Sequence, residues 1–101
     1  MPSQEEIQAT VLRAVEQYNL GQDEAHRVAP ATETTLFGAG GVLDSIALVG
    51  LIVAVEQQVE EDLGAALTLA DAKALSQKRS PFRTVGSLTD YVGTLLEQRN
   101  D

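Results

Sequence analysis

The sequence predicts an all-α protein: a four-helix bundle with a long loop between helices one and two and an extended segment before the last helix. Three observations carry that expectation. Hydrophobic residues make up 44% of the chain while aromatics are only 4%, so the core must be built from Ala, Val, Leu and Ile. That composition suits a small helical bundle better than a sandwich or barrel. Apolar residues recur at helical spacing in several stretches, and Pro30 with the glycines from Gly38 to Gly41 separates the first two of them. At 101 residues the chain reads as one domain, residues 1–101, with a small but adequate core.

Ser3-Gln4-Glu5-Glu6 has the form of a capping box, in which Ser3 accepts from the backbone of Glu6 while Glu6 reaches back. Behind it Ile7, Val11, Ala14, Val15 and Tyr18 recur at helical spacing, and Gly21 offers a stop, so helix one covers about residues 4–20. From Gln22 to Leu43 no period holds, and Leu36 with Phe37 supplies the adjacent large apolar pair that pins this loop to the core.

Helix two follows Asp44. Leu48, Val49, Ile52, Val55 and Val59 form the stripe assigned to the core, while Ile46, Gly50, Val53 and Gln57 lie on another face. Ile46 and Val53 are apolar yet off the core stripe, which leaves them either covered by the long loop or exposed for a partner. Glu60, Glu61 and Asp62 crowd the helix end, where negative charge opposes the macrodipole, and Gly64 ends the helix. Thr68-Leu69-Ala70-Asp71 is expected to cap a short third helix reaching about Gln77. Ser80 and Pro81 break the chain, and Ser87 is expected to cap a last helix carrying Leu88, Val92, Leu95 and Leu96.

The absence of cysteine excludes a disulfide framework, a thiolate metal site and a thiol nucleophile. A formal net charge of −8 argues against phosphate-backbone binding, so no nucleic-acid partner is expected. No basic region followed by an apolar signal core opens the chain, and Ile46 to Val55 is too short to span a bilayer. A monomeric cytoplasmic protein with no transmembrane segment is the expectation, and no metal site is read.

Asp44 and Ser45 sit at a loop-to-helix junction, since the run Gly38-Ala39-Gly40-Gly41, with three glycines in four residues, can hardly be helical, and the residues from Ile46 to Val59 contain no proline and only one glycine, Gly50. The plain reading makes Asp44 the cap and Ser45 an ordinary first-turn residue. The sharper one notes that a helix N-terminus stabilises an attached phosphate, so a serine there is well placed to carry a phosphodiester installed by another enzyme. As a hydrolytic nucleophile Ser45 is poor, because His26 is the sole histidine and nothing local makes it the serine's base. No catalytic residue is assigned.

Gly41-Val42-Leu43-Asp44-Ser45-Ile46, followed by Leu48, Val49, Leu51 and Ile52, resembles the acyl carrier protein family. The resemblance runs from helix one through Leu36-Phe37-Gly38 to helix two, and resumes at Thr84-Val85 and Asp90-Tyr91-Val92. It implies a bundle of acyl-carrier type in which Ser45 bears 4′-phosphopantetheine, covalently attached from coenzyme A, and Asp44 caps the helix and assists the transferase. The reactive thiol then belongs to the cofactor, which holds the cargo as a thioester, and the chain itself is not an enzyme. Implied partners are a phosphopantetheinyl transferase, an acyl- or aminoacyl-loading ligase, and a downstream synthase or acyltransferase.

Two departures from the family point to a specialised stand-alone carrier. Fatty-acid carriers commonly place acidic residues just after the modified serine, whereas here those positions are Ala47 and Gly50. The expected partner face is therefore apolar near the arm, at Ile46, Ala47, Gly50 and Val53, and acidic only later, at Glu56 and Glu60. Gly50 costs about 0.5–1 kcal/mol of helix stability against alanine, and is either tolerated or permits close approach of a partner or of the arm. The segment from Ala65 to Arg83 is longer than in the family and holds Lys73, Lys78, Arg79 and Arg83. These are expected to pair with the acidic end of helix two or stay solvated, a partner-binding edge being the alternative. The cargo is left open between fatty acyl, polyketide, hydroxyacyl and aminoacyl groups, the last as in non-ribosomal or D-alanylation-type pathways. From a different class, a helical adaptor without any prosthetic group would use Asp44-Ser45 only as a cap.

Overall fold

The computed structural model describes residues 2–37, 41, 43–69 and 82–99, with the side chains of His26, Ser45 and Arg99 outside that description. The described residues form a small all-helical protein of three α-helices, α1 (Gln4–Leu20), α2 (Ser45–Leu63) and α3 (Val85–Arg99), plus one 3-10 turn at Glu24–His26. They contain no strand beyond an isolated bridge between Thr35 and Thr84. The expected third helix to about Gln77 lies outside the described residues from Ala70 onward, as do Lys73, Lys78 and Arg79.

α1 begins as the capping box demands. The Ser3 hydroxyl accepts from the Glu6 N–H at 3.2 Å. Glu6 reaches back to the Ser3 hydroxyl, which donates to its carboxylate at 3.3 Å. Ile7, Val11, Ala14 and Val15 are buried along one face, and burial of each large aliphatic side chain contributes about 1.5–3 kcal/mol. Gly21 closes the helix, its N–H donating to the Tyr18 carbonyl at 3.2 Å, and the Gln22 N–H donates to the Asn19 carbonyl at 3.0 Å.

α1 packs against both α2 and α3. The middle of α1 meets the end of α2, and Tyr18 in its last turn meets Gly50 near the start of α2, so the two helices run antiparallel. Thr10 and Arg13 converge on Asp62, the hydroxyl donating at 3.3 Å and the guanidinium Nε at 3.0 Å. Gln58 donates to the other Asp62 oxygen at 3.0 Å. Asp62 opposes the α2 dipole by position, yet three donors from two helices offset that.

In α2 the buried stripe is Leu48, Leu51, Ile52, Val55 and Val59. Val49, assigned to the core from the sequence, is instead 43% exposed, and Leu51 takes its place at 0%. The reason is rotation: positions 48, 51, 52, 55 and 59 follow the i, i+3, i+4, i+7, i+11 row, whereas Val49 lies a residue out of it. Gly64 ends α2 with φ 68°, a left-handed conformation that glycine adopts without Cβ strain, and its N–H returns to the Glu60 carbonyl.

The start of α3 also differs from the sequence expectation. Thr84, not Ser87, is the cap. The Thr84 hydroxyl accepts from the Ser87 N–H and the Ser87 hydroxyl accepts from the Thr84 N–H, both at 3.0 Å. Ser87 is thus the reciprocal third-position member of a capping box. Leu88, Val92 and Leu96 are buried and Leu95 partly so, as their spacing predicts.

The loop between α1 and α2 is held to the entry of α3 by backbone bonds. Leu36 N–H donates to the Arg83 carbonyl at 2.7 Å, Val85 N–H to Thr34 at 3.0 Å and Gly86 N–H to Thr32 at 2.8 Å. Leu36 is fully buried and Phe37 packs on the core, as expected. The same loop is tied to α1 by Asn19, whose amide donates to the Val28 carbonyl at 2.7 Å and accepts the Val28 N–H at 2.8 Å.

Candidate functional site at the start of helix two

The approach to α2 is fixed by a tight return of the chain on itself. Leu43 N–H donates to the Leu36 carbonyl at 3.0 Å. A Cβ at Gly41 would stand 2.7 Å from that same carbonyl oxygen, so only glycine fits there. Leu43 is buried. The loop-to-helix junction is thereby anchored on one side by the buried pair Leu36 and Leu43, and on the other by the α2 core stripe.

Asp44 is the N-cap, as expected. Its Oδ1 accepts the Ala47 N–H at 2.8 Å, and its carbonyl accepts the Leu48 N–H at 2.9 Å. Ser45 is the first residue of α2, and its side chain lies outside the described residues. The first-turn N–H groups of positions 45 and 46 have no intrahelical acceptor by helix geometry. Such an end, with the positive pole of the helix dipole, favours an anion attached at the first turn.

Tyr18, which the sequence places only in the helical stripe of α1, also borders this junction. A Cβ at Gly50 would stand 3.7 Å from its Cε1, an ordinary contact. Burial pushes the Tyr18 phenol above its ordinary range, and the negative charge of Asp44 adds to the effect. The phenol therefore stays neutral beside the cap.

Downstream of Ser45 the outer face of α2 is apolar. Ile46 is 85% exposed and Val53 41%, so the loop covers neither. Gly50 lies exposed between them, and Val49 joins this surface. Ala47 is turned further inward and packs against the core. Of the two later acids, Glu60 is exposed, but Glu56 is half-buried and engaged within the chain, its Oε2 accepting the Leu69 N–H at 2.6 Å. Glu56 thus holds the segment after α2 against the helix, a role not foreseen.

A polar groove of about 520 Å³, with Arg13, Gln17, Gln57 and Asp62 in its lining, lies towards the other end of α2. Among the described residues no three His, Asp or Glu side chains are grouped to hold a metal ion, and no helix is long and apolar enough to cross a membrane. No protein-family model matches the chain, and no curated protein or solved structure matches it significantly.

Proposed function

We propose that the chain is a carrier protein that holds an acyl or aminoacyl group as a thioester on a 4′-phosphopantetheine arm attached to Ser45. It presents that cargo to partner enzymes of fatty-acid, lipid or secondary-metabolite biosynthesis and catalyses nothing itself. The observation that carries the reading is the junction: Asp44 caps α2 through the Ala47 N–H at 2.8 Å, and Ser45 stands as the first helical residue on an anchored loop. The resemblance of residues 41–52 to the acyl carrier family supplies the chemistry.

The residues present suit the group. A phosphodiester on Ser45 would sit at the positive end of α2, where first-turn N–H groups lack helical acceptors. Bound there, the arm supplies the thiol that a chain without cysteine cannot. Asp44 keeps the helix start in register for the transferase. The buried Leu36 and Leu43 keep the loop from shifting as enzymes engage and leave. The exposed apolar surface of Ile46, Gly50 and Val53 next to the attachment point, with Glu60 further on, is the face offered to a loading ligase and to a downstream synthase or acyltransferase.

Incubation of the folded chain with coenzyme A and a broad-specificity phosphopantetheinyl transferase tests the reading. A carrier gains one phosphopantetheine, whereas a helical adaptor that uses Asp44-Ser45 only as a cap keeps its unmodified mass.

A further inference from the structure

We propose that the Tyr18 hydroxyl, brought from α1 to the start of α2, donates a hydrogen bond to the phosphate of an arm attached at Ser45. Tyr18 is then a positioning residue, which fixes how the arm leaves the bundle. The inference rests on the carrier reading and adds to it a residue outside the 41–52 stretch.

A phosphate at the first turn of α2 meets backbone N–H groups there, but α2 offers it no side-chain donor nearby. From Leu43 to Gly50 every side chain other than Ser45 itself lacks one. Asp44 is an acceptor, and its Oδ1 is already taken by the Ala47 N–H at 2.8 Å. Its charge also stands beside the phosphate as a like charge, which disfavours the ionised pair. A side-chain donor must therefore come from another element.

α1 supplies one. Tyr18 stands in its last turn and packs, partly buried, against the core. Because α1 and α2 run antiparallel, that turn lies beside the beginning of α2. The ring reaches the helix itself: Cε1, the carbon next to the one that bears the hydroxyl, is 3.7 Å from the position of a Gly50 Cβ. From there the phenol feels the charge of Asp44, the residue before Ser45. No described residue hydrogen-bonds the hydroxyl, so it is free to donate.

The chemistry of the phenol suits the task. Burial, then the charge of Asp44, raises it above its ordinary range, so its proton is in place at neutral pH. A neutral hydroxyl donating to an ionised phosphate oxygen makes a charge-assisted bond, shorter and roughly twice as strong as one between neutral groups. The proton stays on the tyrosine throughout, and no bond is made or broken.

The test treats the full-length wild type and Tyr18→Phe with coenzyme A and a phosphopantetheinyl transferase, and intact mass shows which chains carry the arm. Tyrosine ζ-carbon resonances of the wild type then follow the phenol titrations before and after modification, with Tyr91, the other tyrosine of the chain, as internal reference. The Tyr18 midpoint should move further up on modification, because the phosphate accepts from the protonated form and repels the phenolate. The Tyr91 midpoint should stay in place. At neutral pH the phosphorus resonance of the modified wild type should differ from that of modified Tyr18→Phe, with circular dichroism showing both folded. A Tyr18 that only packs would move neither reading, since the variant keeps the ring. A wild type that gains no phosphopantetheine would overturn the carrier reading, and this inference with it. A wild type that takes the arm but keeps its Tyr18 midpoint, or a phosphorus resonance equal in the two proteins, would overturn the inference alone and leave Ser45 as the attachment site. The titration needs only the wild type, so it decides the matter even where Tyr18→Phe misfolds.

Discussion

The carboxylate of Glu56 accepts the backbone N–H of Leu69 at 2.6 Å, joining the middle of α2 to the segment that leaves its far end. Leu69 is fully buried, so this bond seats a core side chain as well as pairing a backbone donor. Glu56→Ala should destabilise the protein by about 1–3 kcal/mol, because it removes a charge-assisted bond and leaves a donor unpaired. Glu56→Gln, which retains an acceptor oxygen, should lose less. Urea unfolding of the two variants beside the wild type measures the difference.

Leu51 and Val49 separate the observed core from the one expected on spacing. Leu51→Ala should cost about 2–5 kcal/mol as a buried truncation. Val49→Ala, at a 43% exposed position, should fall within about 1 kcal/mol of the wild type. Denaturation midpoints decide it, and a larger loss at Val49 would reverse the assignment.

Gly50→Ala should stabilise the isolated chain by about 0.5–1 kcal/mol, since alanine is the better helix former. The added Cβ meets Tyr18 at ordinary contact distance. Thermal unfolding should show a higher midpoint for the variant, and a lower one would mean that the glycine serves the fold rather than the surface.

Much of this was legible in the sequence, and the failures have physical causes. The Ser3 box, the Gly21 stop, the Asp44 cap and the Gly64 stop are local chemistry, and each appears where the residues put it. The exposure of Ile46 and Val53 was readable as a face off the core stripe. From Ile46 to Val55, however, every residue of α2 is apolar or glycine. Periodicity there has no polar face to set the rotation, and Val49 was exchanged for Leu51. Thr84 and Ser87 are equally good caps by type. What selects Thr84 is the pairing of Val85 and Gly86 N–H groups with Thr34 and Thr32, a contact between distant parts of the chain. The Tyr18 neighbourhood and the Glu56 bond are of the same kind, tertiary placements that no spacing rule records.

Tyr18 also gives a pH dependence with a defined sign. Burial, then the charge of Asp44, raises its phenol above the usual 10.0. The folded state therefore holds the proton more tightly than the unfolded one. Stability from this group is fully present below pH 10.0 and is lost as pH rises through the folded value. Tyr18→Phe keeps the ring but has no proton to lose. The stability of the wild type relative to this variant should thus fall between about pH 9 and pH 12, as read from urea midpoints at each pH. A difference that stays flat would remove the phenol from this environment.

The most direct test of the account is the intact mass of the wild-type chain and of Ser45→Ala after treatment with coenzyme A and a phosphopantetheinyl transferase, with circular dichroism confirming that both are folded. The carrier reading predicts one phosphopantetheine on the wild type, mapped to the peptide containing Ser45, and none on the variant. A folded wild-type chain that stays at its unmodified mass, or a Ser45→Ala chain labelled as fully as the wild type, would contradict it.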